Sequence, residues 1–199
     1  MKFTKRSALL ALPLMLLALP GCISLGGPPP ESLLTLSPTA RAPAGDGVAG
    51  ATRPVIAVLS FDTPAKLDVL RVPVAVSDTE LAYLQEAFWV EKPARLFRRL
   101  VGETIRARGT AMVVDGDNGA TLASMTVRGT LIDMGYDASE SSAVVRFDAV
   151  RVDAEGTVTT RRFEARETGI PAEGRAVGAA LNVAANTVAA EVADWVVGG

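Results

Sequence analysis

Three consecutive segments in the second half of the chain alternate apolar and polar residues, and this pattern constrains the fold more than any other. They cover residues 122–133, 143–152 and 157–165. Because successive side chains of a strand point to opposite faces, the alternation predicts strands with one buried and one solvated face. The short connections between them predict antiparallel pairing. The predicted buried positions are Met125, Val127, Leu131, Ala143, Val145, Phe147, Ala149, Phe163 and Ala165.

The first of these strands also predicts a candidate interaction surface. Its polar face carries Ser124, Thr126, Arg128 and Thr130. A solvated strand face and any unpaired sheet edge can receive another protein. We therefore expect these four residues to be available for contact with a partner.

Two segments have the apolar spacing of amphipathic helices. One starts at Pro93, which suits a first helical position, and ends near Gly109. The other runs from Pro171 to Val197, with Asn182 and Asn186 expected on its wetter side. Such stripes pack against a sheet or a neighbouring helix. The stripes consist of Phe97, Leu100, Val101, Thr104 and Ile105 in the first helix, and of Val177, Leu181, Ala184, Val188, Val192 and Trp195 in the second.

Five shorter segments complete the predicted sheet. They are 32–37, 55–61, 72–76, 81–84 and 111–114, of which 55–61 is a continuous apolar run typical of a strand buried on both faces. Together, these strands and the two helices predict an α+β fold. It is a single domain over residues 31–199 with one mixed or antiparallel twisted sheet and two long helices packed on it.

Composition excludes most enzyme chemistry. The 199 residues include no His and one Cys, which excludes imidazole base catalysis, His-ligated metal sites and an internal disulfide. The 20 basic and 22 acidic residues give no basic excess for nucleic acid. Asp115, Asp117 and Asn118 lack the spacing of a calcium loop and are interpreted as a turn. We predict no enzymatic activity and no catalytic, cofactor-binding or metal-binding residue.

The N-terminus has the anatomy of an export signal. Lys2, Lys5 and Arg6 precede an apolar run from Ala8 to Leu19, which is too short to span a membrane. The run ends in Leu-Pro-Gly-Cys at 19–22, which resembles the lipobox of bacterial lipoproteins.

This resemblance implies cleavage between Gly21 and Cys22 and acylation of the Cys22 thiol. Residues 1–21 are then the signal peptide, and 22–30 are the lipidated Cys and a Gly- and Pro-rich tether. Because Ile23 and not Asp follows the Cys, we expect the outer membrane, facing the periplasm. The alternatives are an incidental Cys22 in a secreted protein or an uncleaved N-terminal anchor.

Two features of the first helix allow more than one interpretation. The first is a set of arginines that could bind anionic headgroups or an acidic partner. We favour the alternative, in which they form an ordinary solvated helix face. The second is Phe88-Trp89, which either stacks on a ligand or fixes the helix entry in the core, which we favour. The arginines are Arg95, Arg98, Arg99, Arg106 and Arg108.

The order of these motifs is similar to that of a known family. After the lipobox come Leu-Ser-Pro at 36–38, Arg-Pro-Val-Ile-Ala-Val-Leu-Ser-Phe at 53–61, Val-Pro-Val at 72–74 and Phe-Trp-Val-Glu-Lys-Pro at 88–93, and an Ala-rich helix ends in Trp195. The chain resembles the ABC-type transport auxiliary lipoproteins, which include the C-component of the paraquat-inducible lipid transport system. The resemblance implies an outer-membrane-anchored accessory. Its partners would be an ABC permease and ATPase and a substrate-binding protein of the mammalian-cell-entry type.

Two functions therefore compete. In the first, the protein docks and holds the outer-membrane end of a lipid conduit, with several copies able to assemble into a homo-oligomer. In the second, it is a periplasmic lipid carrier with an apolar cavity. The apolar positions are accounted for by ordinary core stripes, which favours docking.

The first testable prediction concerns Cys22. Cys22→Ser removes the acylated thiol and should leave a folded domain that is released from the membrane, because stable anchoring needs the acyl chains. Intact-mass measurement of the membrane form checks this. A membrane form without added acyl mass would contradict it.

Overall fold

The computed structural model describes residues 32–45 and 53–198. The predicted signal peptide, cleavage site, Cys22 and tether lie outside the described residues. The described ranges form one domain of seven strands and two long helices.

Three strands precede the first helix and four strands lie between the two helices, an α+β order. The helices are α1 (Pro93–Ala107) and α2 (Gly174–Val197), and two 3₁₀ turns cover Ala65–Leu67 and Asp117–Leu122. The strands are β1 (Val55–Asp62), β2 (Arg71–Ser77), β3 (Glu80–Phe88), β4 (Met112–Asp115), β5 (Met125–Asp137), β6 (Ser142–Val152) and β7 (Val158–Thr168).

All seven strands belong to one mixed sheet. Strands β5, β6 and β7 form the predicted antiparallel unit. One edge of β5 pairs with two strands in succession: residues 125–130 run parallel to β1, and residues 136–137 run parallel to β2. Beyond these, β4 pairs with β1 in parallel and β3 pairs with β2 antiparallel. The predicted fold class is confirmed.

Strand β5 starts three residues later and ends four residues later than the predicted segment 122–133, and it contains a bulge. The register with β6 shifts between Leu131 and Asp133, so one extra residue reverses which positions face the core. Before the bulge Val127 and Leu131 are buried, and after it Met134 and Tyr136 are buried. The simple alternation ends at 133, whereas the buried face continues to Tyr136 and the strand to Asp137.

The core lies between the sheet and the two helices, which pack side by side on one face. The rings of Phe61, Phe97 and Phe147 meet at its centre, with centroids 4.5 to 6.0 Å apart. Phe147 also fills the space left at Gly129, where a Cβ would stand 2.6 Å from the ring. Both predicted helical stripes face this core, and Trp195 is the one stripe residue that is only partly buried. The length and composition of α2 would allow it to span a bilayer, but most of it is buried inside the domain, as in a core helix.

The N-terminal segment differs from the prediction. In place of a strand over 32–37 there is a single parallel bridge between Leu34 and Trp89. Leu34 packs against Gly178, where a Cβ would stand 2.5 Å from its Cδ2 atom. The segment therefore lies on α2 and is fixed to the sheet by one bridge only.

The predicted wet side of α2 is also wrong, because Asn186 is buried. Its Oδ1 accepts hydrogen bonds from the Thr39 N–H and hydroxyl, and its Nδ2 donates to the Ser37 carbonyl. The Ser37 N–H donates to Asn182 Oδ1. These amides satisfy backbone groups of the docked segment. The helix itself starts at Gly174, three residues after the predicted Pro171.

The first helix follows the prediction closely, with one difference in its arginines. It starts at Pro93, and Trp89 before it is 1% exposed and belongs to the core, as the favoured interpretation requires. Arg98 and Arg106 are not free in solvent, because both pair with Asp115 at 3.3 and 3.1 Å. They tie α1 to the end of β4.

The second testable prediction ranks the stability of three variants. Phe147→Ala should lower the free energy of unfolding by about 3–5 kcal/mol, because it empties the centre of the core. Trp195→Ala should lower it by about 1–2 kcal/mol, since the ring is partly exposed and mainly contacts Phe163 and Arg151. Arg128→Ala, at an exposed residue, should change it by less than about 0.5 kcal/mol.

Urea unfolding of the three variants checks this ranking. A loss for Trp195→Ala that equals or exceeds the loss for Phe147→Ala would contradict the placement of the core centre.

Candidate partner-binding surface

The face of the β5–β6–β7 unit opposite the helices carries a dense set of polar and charged side chains. We call it the open sheet face. Its side chains alternate with the core residues along each strand, as the pleat requires. No helix of the described chain packs on this face of the three strands. Its members are Thr126, Arg128, Thr130, Arg146, Asp148, Arg162, Glu164 and Arg166.

The four residues predicted for partner contact lie on or beside this face. Thr126 and Thr130 are half-buried, and Arg128 is exposed. Ser124 precedes β5, and its hydroxyl bonds the backbone of Val55 at 3.1 and 3.2 Å, so it also fixes the start of β1. Sequence periodicity thus located a solvent-facing surface, while a partner role for these residues stays a prediction.

Paired charges on neighbouring strands hold this face in a defined arrangement. Arg162 Nε and Nη2 each donate to a carboxylate oxygen of Asp148 at 2.6 Å, a bidentate pair between directly opposed residues. Arg146 Nε donates to Glu164 Oε2 at 2.6 Å, again between opposed residues. Because β6 and β7 fix both members of each pair, these side chains lose little conformational entropy when a partner binds.

These pairs perturb the acidity of their members in the expected direction. The hydrogen bonds from Arg162 lower the pKa of Asp148, and the hydrogen bond from Arg146 lowers the pKa of Glu164. Hydrogen bonding to Glu164 likewise raises the pKa of Arg146. All four groups stay charged across the neutral range, so the pattern of charge on this face is fixed there.

A hollow of about 130 Å³ lies beside these pairs, where β2 and β3 approach the face. Lys66 and Asp133 pair at 3.1 Å on its rim, and Arg166 bonds Glu140 and Ser142. Pro73 and Leu81 supply apolar lining. Sequence reasoning missed this hollow, because its residues come from separate strands that only the β2–β5 pairing brings together.

A second, wider hollow of about 540 Å³ lies at the C-terminal end of α2. Arg151 lies over the Trp195 ring at 5.1 Å and donates to the Trp195 carbonyl, which stabilises the end of the helix. Arg161 lies over Phe163 at 4.8 Å, and Glu191 also lines the hollow. Four of its six lining residues are charged, and burying an acyl chain there would desolvate them at a cost in free energy.

The acidic turn at 115–118 has structural partners. Asp117 accepts hydrogen bonds from the backbone N–H and the hydroxyl of Ser60, which lower the pKa of its carboxyl. Asp115 pairs with the arginines of α1. Within residues 32–45 and 53–198, no group of three or more acidic, His or Cys side chains is arranged to hold a metal ion.

Comparison with known proteins identifies a family and a fold. Residues 34–193 match the family described as ABC-type transport auxiliary lipoprotein component. The chain is similar to the crystal structure of a DUF330 protein from Xanthomonas campestris, with 18% identity and a TM-score of 0.65, covering 83% of this chain and 91% of that one.

A second solved structure, of an uncharacterized protein, is similar at 13% identity and a TM-score of 0.63, covering 84% of this chain and 99% of that one. At these identities both structures show the fold alone. A comparison with curated proteins gave no match.

The third testable prediction concerns Arg162. Arg162→Leu removes the hydrogen bonds that keep Asp148 ionised, so the pKa of Asp148 should rise toward its ordinary value of about 3.9. A lowered folded-state pKa stabilises the fold above the unfolded-state pKa, and this effect is lost as the pH falls through the folded-state value. The wild type should therefore lose more stability than the variant on acidification below about pH 4.

Carbon-13 chemical shifts of the side-chain carboxyl measure this pKa directly. Arg128→Leu is the matched control, because Arg128 lies on the same face without an ion pair in the described chain. An unchanged Asp148 pKa in Arg162→Leu would refute the assignment.

Proposed function

The chain belongs to the family of ABC-type transport auxiliary lipoprotein components, and from this premise we propose that it docks a partner protein at the outer-membrane end of a lipid conduit. The proposed partner is a mammalian-cell-entry-type substrate-binding protein of the ABC transporter, anchored in the inner membrane. The proposed anchor is the acylated Cys22, exposed by cleavage after Gly21, in the outer membrane facing the periplasm.

The filled core is the observation that most favours docking over lipid carriage. The contacting rings of Phe61, Phe97 and Phe147 occupy the space between sheet and helices where a carrier would hold acyl chains. The buried side of α2 is rich in alanine, which lets the helix lie close to the sheet. Charged side chains contribute to the lining of both hollows described above, and an acyl chain bound there would desolvate them.

The open sheet face is the proposed docking surface. Its paired charges give a fixed pattern, and electrostatic patterns of this kind contribute specificity and association rate. Arg128 has no hydrogen bond or ion pair within the described chain, so its charge is available to an acidic group of the partner. Several anchored copies would raise their effective concentration and strengthen weak individual contacts.

A periplasmic lipid carrier is the alternative function. Native mass spectrometry of the purified protein and co-purification with the candidate partner distinguish the two. Recovery of the partner without bound phospholipid supports docking. Stoichiometric phospholipid without the partner would overturn docking and favour the carrier.

The fourth testable prediction separates the docking surface from general charge effects. Arg128→Glu reverses an exposed, unpaired charge on the open sheet face and should weaken partner binding about tenfold, which corresponds to about 1.4 kcal/mol. Arg175→Glu makes the same change at an exposed residue of α2 and should leave binding within about twofold.

Binding of each variant to the mammalian-cell-entry-type protein, measured at two salt concentrations, checks this prediction. The effect of Arg128→Glu should shrink at the higher salt, because screening weakens contacts between exposed charges. Equal effects of the two substitutions would exclude the open sheet face as the docking surface.

A further inference from the structure

One end of the domain exposes apolar side chains beside the point where the chain from Cys22 enters. Leu33 is 49% exposed, Leu70 45% and Val90 52%. They come from three separate segments, and no sequence periodicity groups them. Scattered single apolar residues are normal on a surface, whereas exposed apolar residues grouped at one place can mark a contact site.

Backbone hydrogen bonds bring these three segments together. The Val90 N–H donates to the Leu34 carbonyl at 2.9 Å, and the Leu34 N–H donates to the Phe88 carbonyl at 2.7 Å. The Trp89 N–H donates to the Leu70 carbonyl at 2.8 Å. We call the three exposed apolar residues on these paired segments, Leu33, Leu70 and Val90, the tether-end patch.

The same contacts fix where the lipid anchor joins the domain. Leu34 is held by its bridge to Trp89 and by its packing on Gly178, near the start of α2. Only 11 positions separate Cys22 from Leu33, which is at most about 40 Å of extended chain. Among the exposed large apolar residues that the structure describes, Leu33 is therefore the nearest to Cys22 along the chain.

The opposite end of the domain lies well away from this point. Arg151 near the end of β6 bonds the Trp195 carbonyl, and Val158 starts β7 directly across from Val152. Gly178 and Trp195 are 17 positions apart on α2, about 26 Å of helix. Val158 is 59% exposed, so the far end offers an apolar residue of the same type and similar exposure for comparison.

We propose that the tether-end patch rests on the membrane that holds the acyl chains of Cys22, with Leu33, Leu70 and Val90 at the lipid–water interface. This inference rests on the proposed acylation of Cys22. Apolar side chains at an interface add binding energy to a lipid anchor in proportion to their buried area. The domain is then oriented, with the far end and the β6–β7 turn directed away from the bilayer.

The test uses the full-length acylated protein carrying either Val90→Cys or Val158→Cys. Because Cys22 is the one Cys of the chain and acylation consumes its thiol, each variant has a single free thiol for a polarity-sensitive fluorophore. The proteins are reconstituted into vesicles of phosphatidylethanolamine and phosphatidylglycerol, with and without lipids that carry a nitroxide near the headgroup. Thermal melts check that both variants fold as the wild type does.

We expect the nitroxide lipids to quench the label at position 90 at least threefold more than the label at position 158, with a blue-shifted emission at position 90. Equal quenching at the two positions, or none at position 90, would overturn the proposal. A blue shift at position 90 without lipid quenching would also overturn it and would indicate that a protein surface covers the patch.

Vesicle flotation and intact mass separate this result from the proposed function. If the protein floats with added acyl mass but the label at position 90 is not quenched, the anchor is supported and only the proposed membrane contact of the patch is contradicted. A protein without acyl mass that fails to float contradicts both.

Discussion

The structure depends on the position of β5, which pairs with three other strands. Strand β6 occupies one edge of β5 over its whole length, while β1 and β2 share the other edge. The bulge between Leu131 and Asp133 makes this sharing compatible with a single buried face, because it returns Met134 and Tyr136 to the core side. Without it, the second half of β5 would present its apolar residues to solvent.

The N-terminal segment connects the proposed anchor to this core. Leu34 packs on Gly178, and Asn182 and Asn186 bond the backbone of Ser37 and Thr39. The Ala42 N–H then donates to Glu103 on α1. The segment therefore contacts both helices, and a force applied through the tether acts on the folded domain at a fixed place.

The two ends and the open sheet face suggest a division of roles. The tether-end patch is apolar and close to the proposed anchor, whereas the open sheet face is charged and held rigid by cross-strand pairs such as Arg162 with Asp148. The proposed docking function needs both a membrane contact and a protein contact. The aromatic rings that fill the core between sheet and helices support the proposed docking function over the carrier alternative.

The sequence by itself determined the class of the fold, the two helical stripes and the buried position of Trp89. It also determined the solvent-facing row at Thr126, Arg128 and Thr130. Patterns with periods of 2 and 3.6 residues report local burial directly. The tertiary structure alone decided what depends on contacts between distant segments. It placed Asn186 in a buried backbone-binding role, reduced the strand at 32–37 to one bridge, extended β5 through a bulge and paired Arg106 with Asp115. It also brought Leu33, Leu70 and Val90 to one end. The segments that meet in these contacts lie far apart along the chain, so no local sequence pattern records which of them pair.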